Sequence, residues 1–289
     1  MISEHPFFPE QPSAAGRQIE LCFKLWRHGG AACFLPLLIP ALLAILPGLL
    51  FAPAELSPYA GVEFDSDTLS RPSYWCLWAV IFVASVLGQV VAVLRLQARA
   101  DCLNESWSRS MERGLQRLPA ALGAYALYLL VLALSLAPWI ALLIWLVGQP
   151  FSGAALALFL LSTCLLWLLP TWFSLAGVFF LYTSSLDGAG PVASIRSSLA
   201  LIRGHWWHTS AVVGVVLLAY TGILLVAMPL CMSLALGASY LTHGPEALLS
   251  MQWLPGFQLL FAPIHAVSLG LVFATGLVCF HDLRSRRGG

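Results

Sequence analysis

The chain alternates between long apolar runs and short polar segments. Six runs contain no Asp, Glu, Lys or Arg, and each reaches the roughly 20 residues that a helix needs to cross a bilayer. The runs cover positions 31–52, 74–94, 120–147, 154–182, 210–236 and 257–280. Membrane β-strands are shorter and alternate in polarity, so the pattern predicts an all-α, polytopic membrane protein. We expect six transmembrane helices in one integral membrane domain, 1–289.

Three polar segments between the runs have helical periodicity. Positions 17–27, 103–118 and 192–203 each place apolar residues on one face and charges on another. In the third segment the apolar stripe consists of Val192, Ile195, Leu199 and Ile202, with Arg196 and Arg203 outside it. Short basic amphipathic helices of this kind can lie in the plane of the membrane interface. We therefore predict three short interfacial helices.

Each predicted interfacial helix is followed by two apolar runs, and an aspartate follows each pair of runs: Asp101, Asp187 and Asp282. This rhythm indicates three helix-plus-hairpin repeats, 17–101, 103–187 and 191–282. Any six-span protein with basic inner loops shows a similar rhythm, so both interpretations stand. A true threefold repeat would allow a central cavity, and repeated folds often belong to transporters.

The positive charges are distributed unequally between the two sides of the runs. Thirteen of the fourteen Lys and Arg residues lie on one side of the six apolar runs. Only Arg71, in the segment between the first and second runs, lies on the other side. Positive charge is retained on the cytoplasmic side of a membrane. The sequence therefore predicts that both the N-terminus and the C-terminus are cytoplasmic.

Composition narrows the functional classes. Charged residues make up 9% of the chain and hydrophobic residues 60%, whereas soluble domains carry about 25% charge. A net charge of +1 argues against nucleic acid as a partner. The seven cysteines are scattered, whereas a metal site or disulfide framework needs clustered cysteines. We predict no metal, no cofactor and no catalytic residues, hence a protein that is not an enzyme.

Two polar side chains within the runs are candidate functional residues, because polar groups in membrane spans are expensive. Gln89 lies in the second run and His265 in the sixth. Each could line a cavity, or it could simply bond a neighbouring helix. Ser152, just before the fourth run, and His265 also have the order of an intramembrane serine hydrolase of the rhomboid type. Pro150 stands where rhomboids carry glycine, and this interpretation is the most distant alternative.

A basic and aromatic cluster precedes the fifth run. It consists of Arg196, Arg203, His205, Trp206 and Trp207. Such a cluster can hold an anionic lipid headgroup, or it can serve as an ordinary interfacial anchor. The sequence identifies the lipid bilayer as the partner, and it leaves protein partners and homo-oligomers open.

Two stretches carry a resemblance to a known family. The first combines DGAGP at 187–191, SIRSS at 194–198 and IRGHWW at 202–207, and the second is FHDLRSRR at 280–287. They resemble the YciC-like six-helix bacterial inner-membrane proteins, which are similar to the membrane domain fused to some glycerophosphodiester phosphodiesterases. Neither stretch is a catalytic motif. The resemblance implies a multi-pass protein of the bacterial cytoplasmic (inner) membrane.

The functional hypothesis is a non-enzymatic scaffold for membrane or envelope homeostasis that interacts with lipid. The alternative is a transporter or channel for a small solute, supported by Gln89, His265 and the repeat pattern. Coupled transporters usually carry an ionisable group near the membrane midplane, and none of the six runs has an acidic or strongly basic residue there.

Overall fold

The computed structural model describes residues 7–8, 12–51, 70–147, 153, 157, 161, 163, 172, 177–245 and 253–288. Within these ranges the chain is helical and has no strand, which confirms the predicted all-α class there. The helices are α1 (Ala15–Leu43), α2 (Leu46–Phe51), α3 (Pro72–Ala100), α4 (Trp107–Val147), α5 (Phe180–Leu186), α6 (Pro191–Ile202), α7 (Trp206–His243) and α8 (Leu254–Gly288).

Five of these helices, α1, α3, α4, α7 and α8, are long and apolar enough to cross a membrane. They correspond to the first, second, third, fifth and sixth predicted runs. The fourth predicted run, 154–182, lies mostly outside the described residues. The chain therefore has the helices of a multi-pass membrane protein.

The first two predicted interfacial helices do not exist as separate elements. Positions 17–27 belong to α1, which continues to Leu43, and positions 107–118 begin α4, which continues to Val147. A change of polarity along a helix changes what it faces without breaking its backbone hydrogen bonds. Pro119 is accommodated inside α4, because a proline removes one hydrogen bond of the ladder and leaves the others.

The third predicted interfacial helix is separate, as α6. Pro191 occupies its first turn, and Gly204 follows it with φ +88°. Glycine adopts such left-handed backbone at little cost, and this residue divides α6 from α7. The separate helix is therefore a consequence of two backbone-directing residues rather than of amphipathicity.

The face that α6 buries matches the predicted apolar stripe in part: Ile202 is buried, and Ile195 and Leu199 pack half-buried against the core. Ser194 and Ser198 are fully buried, whereas Val192 is 66% exposed. The Thr183 hydroxyl of α5 donates a hydrogen bond to the Ser194 carbonyl at 3.2 Å. A Cβ added at Gly123 of α4 would lie 2.6 Å from the Pro191 ring. Small residues permit this close approach, so α6 packs through Ser194 and Ser198 as well as Leu201 and Ile202, and only Val192 of the stripe turns outward.

The centre of the protein is formed by α1, α3 and α8. The Trp26 indole of α1 donates to the Val267 carbonyl of α8 at 3.0 Å. The Arg95 guanidinium of α3 donates to the Ala32 carbonyl of α1 at 3.0 Å.

The outer surface of α7 is apolar and exposed, and its Leu218 side chain is 74% exposed. An apolar helix with such exposed side chains suits a hydrocarbon environment.

The three aspartates that mark the predicted repeats have unlike surroundings. Asp282 is 1% exposed and bonds to Ser13, whereas Asp187 pairs with Arg284 at the surface. Asp101 accepts both hydrogen bonds from the Gln97 amide one turn earlier in α3. The threefold repeat stays a prediction.

Candidate functional site

The exposed face of α6 and the residue after it combine two arginines with an apolar residue. At 100° per residue, Val192 and Arg196 lie about 40° apart around the axis of α6, and Arg203 follows directly after its last residue. All three side chains are exposed. We call this surface the α6 strip (Val192, Arg196, Arg203). Its mixed character differs from the predicted division into an apolar face and a basic face.

Two aromatic residues begin α7, directly after the turn that follows α6. Trp207 is 80% exposed, and Trp206 packs edge-on against it with ring centroids 4.5 Å apart. His205 precedes α7, where its carbonyl accepts a hydrogen bond from the Thr209 hydroxyl at 3.0 Å. The five residues predicted as a cluster are thus consecutive parts of one helix, turn and helix start.

The two arginines of the strip have no acidic partner among the described residues. The ion pairs found there join Arg113 to Glu105, Arg284 to Asp187 and Arg286 to Asp282. Arg196 and Arg203 take part in none of these pairs. Their guanidinium groups are therefore accessible to a phosphate, which arginine binds in a bidentate geometry.

A third cation lies beside the loop that leads into α6, and sequence reasoning missed it. The Arg117 guanidinium of α4 occupies the space beside Gly188, where an added Cβ would lie 1.4 Å from Nη1. Gly188 has φ +68°, so a side chain there would be both strained and crowded. The glycines of the 187–191 stretch were the only signal that another group approaches the backbone closely.

Gln89 lies in a cleft between helices. The Tyr125 hydroxyl of α4 donates a hydrogen bond to Gln89 Oε1. Among the described residues, the cleft of about 210 Å³ is lined by Gln89, Tyr125, Tyr128, Gly177, Val178, Phe180, Leu181, Tyr182, Val272 and Phe273. The tyrosines come from separate stretches of the chain, and no sequence signal connected them with Gln89.

His265 has a different location and different partners. Its Nδ1 lies 3.1 Å from the Tyr220 hydroxyl of α7, and its ring stacks on Phe261 at 5.9 Å between centroids. The structure therefore does not join His265 to Gln89, which bonds to α4. Ser152, the other half of the hypothetical hydrolase pair, lies outside the described residues.

A buried polar network at one end of α8 was also missed. Asp282 accepts hydrogen bonds from the Ser13 backbone N–H at 2.9 Å and from its hydroxyl at 3.0 Å. The Arg286 guanidinium contacts Asp282 at 2.6 Å, the Ser13 carbonyl at 2.7 Å and His208 at 3.2 Å. The i,i+4 spacing of Asp282 and Arg286 was the available signal. This network joins the segment before α1 to α7 and α8.

Comparison with known proteins identifies no relative. No family model matches the chain, and neither a curated protein nor a solved structure matches it.

Proposed function

We propose that this chain is a non-enzymatic, lipid-binding scaffold of the bacterial inner membrane, with six spans and both termini in the cytoplasm. The proposed role is to hold anionic lipid headgroups at the α6 strip in support of membrane or envelope homeostasis. The carrying observation is the pair Arg196 and Arg203, exposed and without an acidic partner among the described residues, on and directly after the helix that exposes Val192. The YciC-like resemblance of the same stretch supports the bacterial location.

The chemistry of the strip suits a lipid headgroup. A basic residue near an anionic membrane surface contributes about 1 kcal/mol of attraction, and arginine adds bidentate hydrogen bonds to phosphate oxygens. Val192 offers an apolar contact to the upper part of an acyl chain. Trp207, 80% exposed, belongs to the residue type that concentrates at the headgroup level.

We expect the double variant Arg196→Gln/Arg203→Gln to retain less phosphatidylglycerol than the wild type. Loss of two basic residues removes about 2 kcal/mol of attraction, which corresponds to a roughly thirtyfold weaker association. The measurement is native mass spectrometry of the full chain, released from mixed phosphatidylglycerol and phosphatidylethanolamine nanodiscs. Occupancy by the zwitterionic phosphatidylethanolamine should not change.

The matched control is Arg196→Lys/Arg203→Lys, which keeps both charges and loses the bidentate geometry. It should lie between the wild type and the glutamine variant. Equal phosphatidylglycerol occupancy in all three proteins would contradict the headgroup proposal.

The proposed orientation can be tested at Cys102, an exposed thiol directly after α3. In intact bacterial cells, a membrane-impermeant maleimide should leave the Cys102 peptide unlabelled, and inverted membrane vesicles should label it. Arg71→Cys, at the opposite end of α3, serves as the control with the reverse pattern. Labelling of Cys102 in intact cells would place this end outside and contradict the proposed topology.

A transporter of a small neutral solute is the second candidate, favoured by the cleft beside Gln89. Flux of labelled glycerol and urea into proteoliposomes separates the two candidates, because a scaffold does not accelerate it above protein-free liposomes.

A further inference from the structure

We propose that the cleft beside Gln89 binds a neutral, membrane-soluble molecule whose carbonyl oxygen accepts hydrogen bonds from the Gln89 amide and the Tyr128 hydroxyl. This site is separate from the α6 strip, and the inference stands whether or not the strip binds headgroups. It also requires no transport.

The cleft contains two hydrogen-bond donors that have no acceptor among the described residues. The Gln89 amide oxygen is occupied by the Tyr125 hydroxyl, whereas its Nε2 has no acceptor among the described residues. The Tyr128 hydroxyl likewise has no hydrogen-bond partner in the described part of the chain, although its ring packs against Phe180 at 5.2 Å. In a hydrocarbon environment a polar group without a partner costs several kcal/mol. A ligand that accepts these hydrogen bonds removes that cost.

A role in joining two helices explains the amide oxygen of Gln89 but not its N–H groups. The bond from Tyr125 ties α3 to α4, as polar residues in membrane helices commonly do. That bond uses the oxygen of the amide, and neither N–H group has an acceptor among the described residues. A residue needed only as an acceptor for Tyr125 would not have to bring two further donors to the wall of a cleft.

The walls determine the character of the ligand. Phe180, Leu181, Val272 and Phe273 supply apolar surface, and no ionisable carboxylate, lysine or arginine lines the described part of the cleft. The Tyr182 hydroxyl is already bound to the Phe273 carbonyl at 3.0 Å. A charged ligand would have no counter-ion here, so the cleft fits a neutral molecule with an apolar body.

Depth and volume favour a small neutral group over a complete phospholipid headgroup. Gln89 lies five residues inside the predicted inner end of its apolar run, which is about 7.5 Å along a helix. This position is within the hydrocarbon layer, roughly 30 Å thick. A volume of about 210 Å³ holds a small ring or one end of a larger molecule. The carbonyl can belong to a quinone-type ring dissolved in the bilayer or to the ester of a neutral lipid.

Two probes distinguish these sources. A 1,4-benzoquinone with a decyl tail represents the ring carbonyl, and a diacylglycerol with a diazirine on one acyl chain represents the ester. The full chain in nanodiscs is titrated with the quinone by native mass spectrometry, and the diazirine is photolysed and its peptide adducts are mapped. Each experiment is repeated on Gln89→Leu and Tyr128→Phe. Tyr240→Phe, on the exposed part of α7, is the matched control.

For the probe that occupies the cleft, Gln89→Leu should weaken binding about tenfold and Tyr128→Phe about threefold. Tyr240→Phe should leave it unchanged, and phosphatidylglycerol occupancy should stay at the wild-type value in every variant. If Gln89→Leu does not fold, as judged by its melting temperature and gel-filtration profile, Tyr128→Phe decides alone. The proposal is overturned if neither probe binds, or if the folded cleft variants bind both probes like the wild type.

Discussion

Gly88→Ala is expected to destabilise the protein by about 1–2 kcal/mol, because it pushes α3 away from α1. An alanine Cβ at this position would lie 2.2 Å from the Pro36 carbonyl oxygen and 3.1 Å from the Pro40 ring. The nearest atom belongs to the backbone, so it cannot rotate aside. Overpacking of this kind typically costs about 1–3 kcal/mol, and the higher helix propensity of alanine offsets up to about 1 kcal/mol.

The contact at Gly88 has a cause in the sequence of α1. Pro40 has no backbone N–H, so the Pro36 carbonyl, four residues earlier, loses its usual hydrogen-bond donor. That carbonyl faces the backbone of Gly88 instead, where only a residue without a side chain leaves room for it. Thermal unfolding in detergent should show a melting temperature lower by about 2–8 °C.

Gly214 and Gly222 of α7 provide the matched controls. No atom lies within 4 Å of a Cβ added at either position. Gly214→Ala and Gly222→Ala should therefore leave stability unchanged or raise it by up to about 1 kcal/mol. A melting temperature of Gly88→Ala equal to that of these controls would show that α1 and α3 are not in close contact.

Asp282→Ala is expected to cost about 3 kcal/mol. Asp282 is 1% exposed and Arg286 is its ion-pair partner. Removal of the carboxylate leaves the Arg286 charge and both Ser13 donors without their acceptor. Breaking one side of a buried ion pair typically costs about 3–5 kcal/mol, and the partly accessible guanidinium places this case at the lower end. The measurement is the melting temperature, together with proteolysis of the segment before α1.

Two further variants make the Asp282 result specific. Asp187→Asn weakens a surface ion pair with Arg284, whose side chain is 44% exposed, and should cost less than about 1 kcal/mol. Asp282→Leu/Arg286→Met removes both charges and should recover part of the lost stability. An Asp282→Ala protein as stable as Asp187→Asn would mean that the network contributes nothing to folding.

The outline of the fold was predictable because it depends on simple lengths and compositions. Five predicted runs correspond to helices that are long and apolar enough for a membrane. Their ends were less predictable. The polar segment before the first run continues into α1 without a break, because a helix needs no change in backbone conformation where its surface changes from polar to apolar. Among the described residues, Pro191 and Gly204 marked a boundary that the structure retains.

The candidate sites were predictable to different degrees. Arg196, Arg203 and Trp207 lie close together in sequence, and a helix with its following turn necessarily keeps them close in space. The cleft joins Gln89 to Tyr125, 36 residues away, and a helix pair can be rotated so that these side chains never meet. Pattern reasoning therefore found Gln89 as an unusual residue and could not assign its partner.

The sequence by itself determined the helical class, the presence of long apolar helices and the concentration of positive charge on one side of the apolar runs. These properties follow from the order of residues along one dimension and from the thickness of a bilayer. The tertiary structure decided which faces meet. Helices such as α7 carry apolar residues around their whole circumference, so the sequence does not indicate which face packs against the other helices. The bond from Ser13 to Asp282, across 269 residues, and the cleft beside Gln89 exist because helix order and rotation bring these groups together.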